Sequence, residues 1–232
     1  MGNYAEMFRL IGHRGAAALA PENTMPSFVK AYECGATAIE FDVRLTKDGV
    51  PIIYHDDNFK RLTGVDAYVA DVSFEETRKL RVKGEAPIPT LEEVLEFASG
   101  KLAVDVELKV VGVEEETVNL LRKYGLEDKA LITSFLPTVL GEIKNIAPDI
   151  EVGVLLEEWD DEYLDIARRI EAYALLPPYT IVTRELVDKI KGSGYALIVW
   201  TVNDPQEAER LLEMGVDGII TDDPCKLREV VR

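Results

Sequence analysis

The chain has 232 residues, of which 47% are hydrophobic and 30% charged, and 43 acidic against 26 basic side chains give a net charge of -17. This length and composition fit one soluble domain with a sizeable core, and no apolar run reaches the roughly 18 residues that suggest a membrane span. An acidic surface without a basic stripe excludes nucleic acid as a partner, and it means that an anionic ligand needs local cations.

Short β-branched runs alternate with amphipathic runs along almost the whole chain. The alternation predicts eight strands, with the sequences FRLIGH, AIEFDV, KLAVDVEL, ALITSF, EVGVLL, AYALL, ALIVWTV and DGIIT. Helices are predicted after them over residues 25–34, 90–99, 113–124, 137–146, 160–171, 183–193, 204–214 and 224–231. Eight strand–helix units with short links predict an α/β fold, a (β/α)8 TIM barrel that forms a single domain over residues 1–232.

Residues 47–89 interrupt this alternation. The segment begins K-D-G-V, so that Asp48 and Gly49 stand between two strand-like runs, which predicts a hairpin. If these two residues form the turn, Asp42 faces His55 with Cβ atoms about 5 Å apart, whereas a three-residue turn shifts the register by one. The remainder is polar and loop-rich, which predicts a small insertion after strand two at the end of the barrel where active sites are built.

The predicted location is cytoplasmic, from two observations. The first ten residues have neither a basic nor an apolar leader segment, so no secretory signal is expected. Cys34 and Cys225 are far apart in sequence and form no C-x-x-C pair, which favours a reducing compartment. No integral membrane association is expected, and a homo-oligomer is left open.

Six polar residues stand at or just beyond the predicted ends of the first three strands. They are His13, Arg14, Glu40, Asp42, Glu107 and Lys109. The C-terminal ends of barrel strands meet at one rim, and residues two apart on a strand share a face. The sequence therefore predicts a rim on which acidic and basic groups from separate strands converge.

The three acids of this rim predict a metal site. Glu40, Asp42 and Glu107 offer carboxylate oxygens, the hard ligands that suit Mg²⁺ or Ca²⁺. A salt-bridged cluster at the barrel end is the alternative, but acids on a buried strand are costly unless a cation joins them.

The remaining polar residues predict a reaction on a phosphate ester. Arg14 and Lys109 supply the local positive charge that a phosphate needs. His13 and His55 are the only histidines, and one imidazole can deprotonate the attacking hydroxyl or water while the other protonates the leaving alkoxide. Together with a metal these parts predict phosphodiester cleavage, although the sequence does not assign acid and base between the two imidazoles.

Several motifs in order along the chain resemble those of the glycerophosphodiester phosphodiesterases. They are HRG, PENT, AIEFDVRLTKDGVPIIYHD, IPTLEEVLEFA, VELK, TSF, WTVN and DGIITDDP. The resemblance implies a TIM barrel with an insertion after strand two. It also implies hydrolysis of small glycerophosphodiesters to sn-glycerol 3-phosphate and an alcohol with a divalent cation, Mg²⁺ or Ca²⁺, with Mn²⁺ as a further candidate.

The same resemblance implies a role for each matching residue. His13 and His55 resemble the acid/base pair, and Glu40, Asp42 and Glu107 resemble the metal ligands.

Further residues resemble the family's contacts to substrate. Arg14 and Lys109 match phosphate contacts, and Phe135 and Trp200 match walls of the glycerol pocket.

Two other features near His13 receive a structural interpretation. The run P-E-N-T at Pro21–Thr24 is interpreted as a turn and helix cap without chemistry. Gly12 and Gly15 are interpreted as a tight strand exit at which a ligand can approach the backbone.

Two other functions remain alternatives. The first is a lysophospholipase D-type activity on the same barrel, which a wide apolar trough under residues 56–89 would favour over a tight polar pocket. The second is a non-catalytic phosphate-binding barrel, which would require a degraded site. The sequence also does not separate attack by the glycerol 2-hydroxyl, through a cyclic phosphate, from direct attack by water.

Overall fold

The structure is a computed structural model that describes residues 4–231. Residues 1–3, which belong to the segment in which no secretory signal is expected, lie outside the described residues. The strands are β1 (Leu10–Gly12), β2 (Ala38–Leu45), β3 (Pro51–Ile53), β4 (Arg81–Val82), β5 (Ala86–Pro87), β6 (Ala103–Leu108), β7 (Ala130–Ser134), β8 (Glu151–Leu155), β9 (Ala174–Leu176), β10 (Ala196–Val199) and β11 (Gly218–Thr221). Eight of them pair in parallel in the order β1-β11-β10-β9-β8-β7-β6-β2, and β1 also pairs with β2. The sheet is therefore closed, and the predicted TIM barrel is confirmed.

The helices are α1 (Tyr4–Met7), α2 (Met25–Glu33), α3 (Lys60–Thr63), α4 (Phe74–Thr77), α5 (Leu91–Ala98), α6 (Glu114–Lys123), α7 (Pro137–Ile146), α8 (Glu162–Arg169), α9 (Arg184–Gly192), α10 (Pro205–Glu213) and α11 (Pro224–Leu227). Each predicted helix is present, although the last is shorter than predicted. The main apolar core lies between the strands and these helices. No helix within residues 4–231 is long and apolar enough to cross a membrane.

A second apolar cluster fills the interior of the barrel and determines which end stays open. Ile11, Leu131 and Ile198 belong to this cluster, and Phe8 and the partly buried Tyr4 pack with it from the chain before β1. The Tyr4 hydroxyl donates a hydrogen bond to the carbonyl of Ala130, the first residue of β7. The N-terminal segment therefore closes the end at which strands begin, and the end at which they finish is available for a site.

The hairpin after β2 has a three-residue turn, so the register that paired Asp42 with His55 is wrong. The backbone N–H of Tyr54 donates to the Asp42 carbonyl at 2.9 Å, which makes Tyr54 the residue opposite Asp42. Gly49 adopts φ +79°, the left-handed conformation that ends a three-residue hairpin loop. Asp48 is fixed in that loop because its carboxylate accepts hydrogen bonds from the Thr46 hydroxyl and the Phe74 amide.

The segment between β2 and α5 forms a small layer of its own beside the barrel. It contains β3, two short helices and the two-stranded β4–β5 sheet. Ile52, Tyr54, Phe59, Val69 and Ile88 are buried together in a separate apolar cluster. The predicted insertion after strand two is therefore a packed unit.

Cys34 and Cys225 form a disulfide bond, and the interpretation of both as reduced residues is wrong. They are 191 residues apart in sequence, but their Cα atoms lie 4.4 Å apart. Barrel closure places β1 beside β11, so Cys34, which follows α2, meets Cys225 in α11. Disulfides occur in oxidising compartments and also inside hyperthermophilic cells, so the cysteines no longer support the cytoplasmic location, which stays a prediction.

Candidate active site

The register of β2 on β6 brings the three predicted metal-binding acids together. Glu40 lies beside Asp105, and Asp42 lies beside Glu107, because the two strands run parallel and in register. One carboxylate oxygen each from Glu40, Asp42 and Glu107 lies within 4.8 Å of the others, and all three side chains are buried. The strands therefore build an acidic cluster at the open end of the barrel.

Both predicted cations contact this cluster. Lys109 Nζ lies 2.7 Å from Glu107 Oε1 and 3.4 Å from Asp42 Oδ1. Arg14 Nε lies 3.4 Å from Asp42 Oδ2, and the Arg14 backbone N–H donates to Glu40 Oε2 at 2.8 Å. The positive charge needed for an anion is therefore present at the cluster.

The charges in the cluster hold its carboxyl groups in different protonation states. Burial alone would raise the pKa of Asp42, but Lys109 and Arg14 outweigh it and lower that pKa to about 2. Burial, followed by the charge of Asp42, raises the pKa of Glu107 to about 7. Burial together with the charges of Asp42 and Glu107 raises the pKa of Glu40 well above its usual range. Ionisation of Glu40 and Glu107 beside Asp42 is therefore unfavourable, and a bound cation would favour the ionised form of all three acids.

The residues present fit a divalent cation. The donor set consists of carboxylate oxygens, which are the ligands that Mg²⁺ and Ca²⁺ prefer. Among the described residues none donates a hydrogen bond to Asp42 Oδ1, although this oxygen is buried. An unsatisfied buried acceptor is costly, and a metal ion in the cluster would satisfy it.

Pro21–Thr24 forms the predicted turn before α2, and it also contacts two residues of the site. Asn23 is buried, and its side-chain amide donates to Asp42 Oδ2 at 2.8 Å. Glu22 accepts a hydrogen bond from Arg14 Nη1 at 2.8 Å. Thr24 is the N-cap of α2, but its hydroxyl donates to the Pro21 carbonyl and does not cap the helix. The segment thus orients two site residues, a role that a turn motif alone does not reveal.

The two glycines beside His13 permit a tight exit from β1 and the close approach of α2. A Cβ atom on Gly12 would clash with the Gly15 carbonyl oxygen and would lie 2.9 Å from the Cβ of Ala31. A Cβ on Gly15, which has φ +86°, would lie 2.6 Å from the carbonyl carbon of Ser27. The predicted tight strand exit is therefore confirmed, and the approach of a ligand to this backbone stays a prediction.

Each histidine contacts a carboxylate through Nδ1. His13 Nδ1 lies 2.6 Å from Asp222 Oδ1, and His55 Nδ1 lies 2.7 Å from Asp56 Oδ1. The Asn203 amide donates to the other Asp222 oxygen at 2.7 Å. A carboxylate on Nδ1 fixes the tautomer and leaves Nε2 for a reacting group. These partners were not predicted from the sequence, although each lies just beyond a strand or directly after a histidine.

A cavity of about 360 Å³ opens at this end of the barrel, and both histidines line it. Phe135 and Trp200 form one wall, with ring centroids 6.1 Å apart at 88°. Trp200 is oriented by a hydrogen bond from its indole N–H to the Leu176 carbonyl. Except for Asp42, which is buried directly behind it, each of the nine predicted site residues lines this cavity.

Asp105 is a further acid on the cavity that the sequence analysis missed. It is fully buried beside Glu40, and its Oδ1 accepts a hydrogen bond from the Thr133 hydroxyl at 2.7 Å. Burial raises its pKa to about 8. Because the period-two pattern places Asp105 on the same face as Glu107, the signal was present in the sequence.

Replacement of Asp105 by asparagine should change the pH dependence of stability. The folded state raises the pKa of Asp105 from its ordinary value of 3.8 to about 8, so folding is favoured at low pH and becomes less favourable as pH rises between those values. Relative to Asp105→Asn, the wild type should lose about 1 kcal/mol of unfolding free energy per pH unit in this window. Urea unfolding in the presence of EDTA, at several pH values, measures the difference. Parallel curves for the two proteins would contradict the shifted pKa.

The fold and the site together define a TIM-barrel enzyme that places an acidic cluster, two cations and two carboxylate-backed imidazoles around one polar cavity. Residues 13–226 match the family model of the glycerophosphoryl diester phosphodiesterase family. The chain therefore belongs to that family, and the resemblance noted in its motifs is confirmed.

Individual relatives agree over nearly the whole chain. A glycerophosphodiester phosphodiesterase from Caldanaerobacter subterraneus is 39% identical, with 96% of this chain and 97% of the relative covered. An Oleispira antarctica phosphodiesterase, solved in complex with the product sn-glycerol-3-phosphate, superimposes with a TM-score of 0.91 at 30% identity and 98% coverage of both chains. A glycerophosphodiester phosphodiesterase structure from Thermotoga maritima has a TM-score of 0.82 at 30% identity, with 97% of this chain and 98% of that chain covered.

Proposed function

We propose that this protein hydrolyses glycerophosphodiesters to sn-glycerol 3-phosphate and an alcohol with the help of a divalent cation. The observation that carries the proposal is the cluster of Glu40, Asp42 and Glu107 within 4.8 Å, at the wall of a cavity that both histidines line. Relatives named for this activity, and the product bound to the Oleispira protein, support the same substrate class.

The proposed ligands of the cation are Glu40, Asp42 and Glu107, and Mg²⁺, Ca²⁺ or Mn²⁺ suits their oxygens. When bound, a cation of this kind supplies Lewis-acid stabilisation of charge on phosphoryl oxygens. Asn23 holds Asp42 Oδ2 by its 2.8 Å hydrogen bond, and Oδ1, which accepts no hydrogen bond among the described residues, is proposed to bind the ion.

His13 and His55 are proposed to share the proton transfers. One imidazole accepts the proton of the attacking hydroxyl or water through Nε2, and the other donates a proton to the alcohol oxygen as the P–O bond breaks. The contacts of Asp222 and Asp56 with Nδ1 support these roles, because they hold each ring in the tautomer that the transfer requires.

Arg14 and Lys109 are proposed to bind the phosphate, and Phe135 and Trp200 to bind the glycerol moiety. Both cations lie on the cavity, and their charges can stabilise the non-bridging oxygens in the transition state. Lys109 Nζ lies 5.9 Å from the centroid of Phe135, so the phosphate contacts and the apolar wall are adjacent.

A deacylated substrate fits the cavity better than a lysophospholipid does. Most of the described residues that line it are polar or charged, and four are apolar, namely Phe135, Leu155, Trp200 and Ile220. Among the described residues none of 56–89 lines it, so the apolar trough that would favour acyl chains is not formed by this segment. The predicted cationic and imidazole groups are also all present, which argues against a non-catalytic phosphate-binding barrel.

Metal removal tests the proposal. Exhaustive treatment with EDTA should lower the release of glycerol 3-phosphate from glycerophosphoethanolamine at least about 100-fold, because a cation stabilises the transition state by several kcal/mol. Addition of Mg²⁺, Ca²⁺ or Mn²⁺ should restore turnover, measured by an enzymatic assay for glycerol 3-phosphate.

Two controls make this result specific. Asp42→Asn should stay folded and should not recover with added cation, since it removes one proposed ligand. Matching lysophospholipids, assayed in parallel, should be poorer substrates than the deacylated compounds. Full turnover after chelation would refute the metal role. Faster turnover of the lysophospholipids than of the deacylated compounds would instead indicate a lysophospholipase D-type activity.

A further inference from the structure

Arg61, in helix α3 of the segment after β3, binds two carboxylates at once. Its Nε and Nη2 donate to the two Asp56 oxygens at 2.6 and 2.9 Å. Its Nη2 and Nη1 donate to the two Glu22 oxygens at 2.7 and 3.0 Å. The guanidinium therefore makes two paired contacts, a geometry that its planar fork allows and a lysine ammonium does not.

Each of these two carboxylates also contacts a residue of the site. Asp56 Oδ1 lies 2.7 Å from His55 Nδ1, and Glu22 Oε1 accepts a hydrogen bond from Arg14 Nη1 at 2.8 Å. One carboxylate therefore connects Arg61 to His55 and another connects it to Arg14, and both of these residues line the cavity. Arg61 contacts neither of them directly in any hydrogen bond among the described residues.

The charges explain why this link is needed. Asp56 and Glu22 both lie against one guanidinium, so without it two negative groups would face each other at short range. Their side chains are 23% and 13% exposed, which limits screening by solvent. Without Arg61, the Asp56 and Glu22 carboxylates should therefore move away from each other. His55 and Arg14, which contact them, should then move as well.

His13 has no such link. Its partner Asp222 is held by the neutral amide of Asn203, which does not belong to the inserted segment. The carboxylate on His55 is bound by a charged guanidinium, and the carboxylate on His13 is bound by a neutral amide. A change at Arg61 should therefore affect His55 and not His13.

We propose that Arg61 is a positioning residue whose guanidinium joins Asp56 to Glu22 and so fixes the imidazole of His55 and the guanidinium of Arg14 over the cavity. This inference rests on the proposed function for the roles of His55 and Arg14. It also gives the segment between β2 and α5 a function, because that segment delivers Arg61 to the rim.

The chain's two histidines allow a direct test. In ¹H–¹⁵N spectra that report imidazole nitrogens, only His13 and His55 contribute, and a His55→Ala spectrum assigns them. Arg61→Met should shift or broaden the His55 signals and leave the His13 signals unchanged. This readout needs no turnover, so it stands apart from any failure of the proposed activity.

Kinetics supply the second readout. Arg61→Met should lower kcat on a glycerophosphodiester about 10- to 100-fold, the scale expected when catalytic groups are displaced by an ångström or less. Arg61→Lys keeps the charge without the fork and should be intermediate in both readouts. It also provides a measurement if the methionine variant folds poorly.

Arg78 offers a matched control in the same segment. It pairs with Glu93 at 3.0 Å and is 41% exposed, compared with 46% for Arg61, but it contacts neither Asp56 nor Glu22. Arg78→Met should therefore leave kcat and both imidazole signals as in the wild type. Unchanged His55 signals in Arg61→Met, or a wild-type kcat in that variant, would overturn the proposal.

Discussion

Replacement of either histidine by alanine should lower kcat about 10³-fold while the protein stays folded, because each variant removes one of the two proton transfers. His13 and His55 are partly exposed at the cavity and belong to no apolar cluster, so truncation leaves the core intact. KM should change much less than kcat, since Arg14 and Lys109 still bind the phosphate. Initial rates on glycerophosphoethanolamine, with thermal unfolding of each variant, measure the effect.

Rescue and a surface control sharpen this experiment. Imidazole added to the buffer should restore part of the activity of each alanine variant, because it can enter the vacated space as a proton carrier. Arg168→Ala, which removes an exposed side chain that pairs with Asp165 in α8, should keep the wild-type rate. A fully active His13→Ala or His55→Ala variant would remove that residue from the mechanism.

Loss of the Cys34–Cys225 bond should destabilise the protein by about 3–5 kcal/mol, because the bond closes a loop that spans most of the chain and restricts the unfolded state. The double variant Cys34→Ala/Cys225→Ala removes the link. Urea unfolding of this variant and of the wild type, with and without a reductant, measures the free energy of unfolding.

The reductant separates the bond from side-chain packing. Reduced wild type should approach the double variant, and any remaining difference reports the loss of the buried Cys34 side chain. The reductant should have no effect on the double variant itself. If it leaves the wild type unchanged as well, the bond does not form or does not constrain the chain.

The barrel and its order of elements were predictable because local patterns carry them. Each strand is a short buried run and each helix an amphipathic one, and capping signals such as Thr90 with Glu93 mark the helix starts. The acids of the site were predictable for the same reason. Glu40 and Asp42 are two residues apart on one strand, and strand ends meet at one rim of a barrel.

The hairpin register was not predictable from the turn sequence alone. Asp48-Gly49 suits a two-residue turn, but the Phe74 amide, from 26 residues further along, binds Asp48 and accompanies the longer loop. His55 nevertheless lines the cavity beside Glu40 and Glu107, so its predicted place at the rim is correct although the predicted register is not. Proximity to the rim, and not direct pairing with Asp42, brings this histidine to the acids.

The repeated strand–helix order, the rim acids and cations, and the family were predictable from the sequence, because each follows from periodicity or from motifs that are contiguous in the chain. The partners of those residues became known from the folded chain alone. Asp222 on His13, Asn23 on Asp42 and the bond between Cys34 and Cys225 join segments that lie far apart in sequence. Barrel closure, which sets the last strand beside the first, brings two of these pairs together, and the return of the chain after β1 supplies the third.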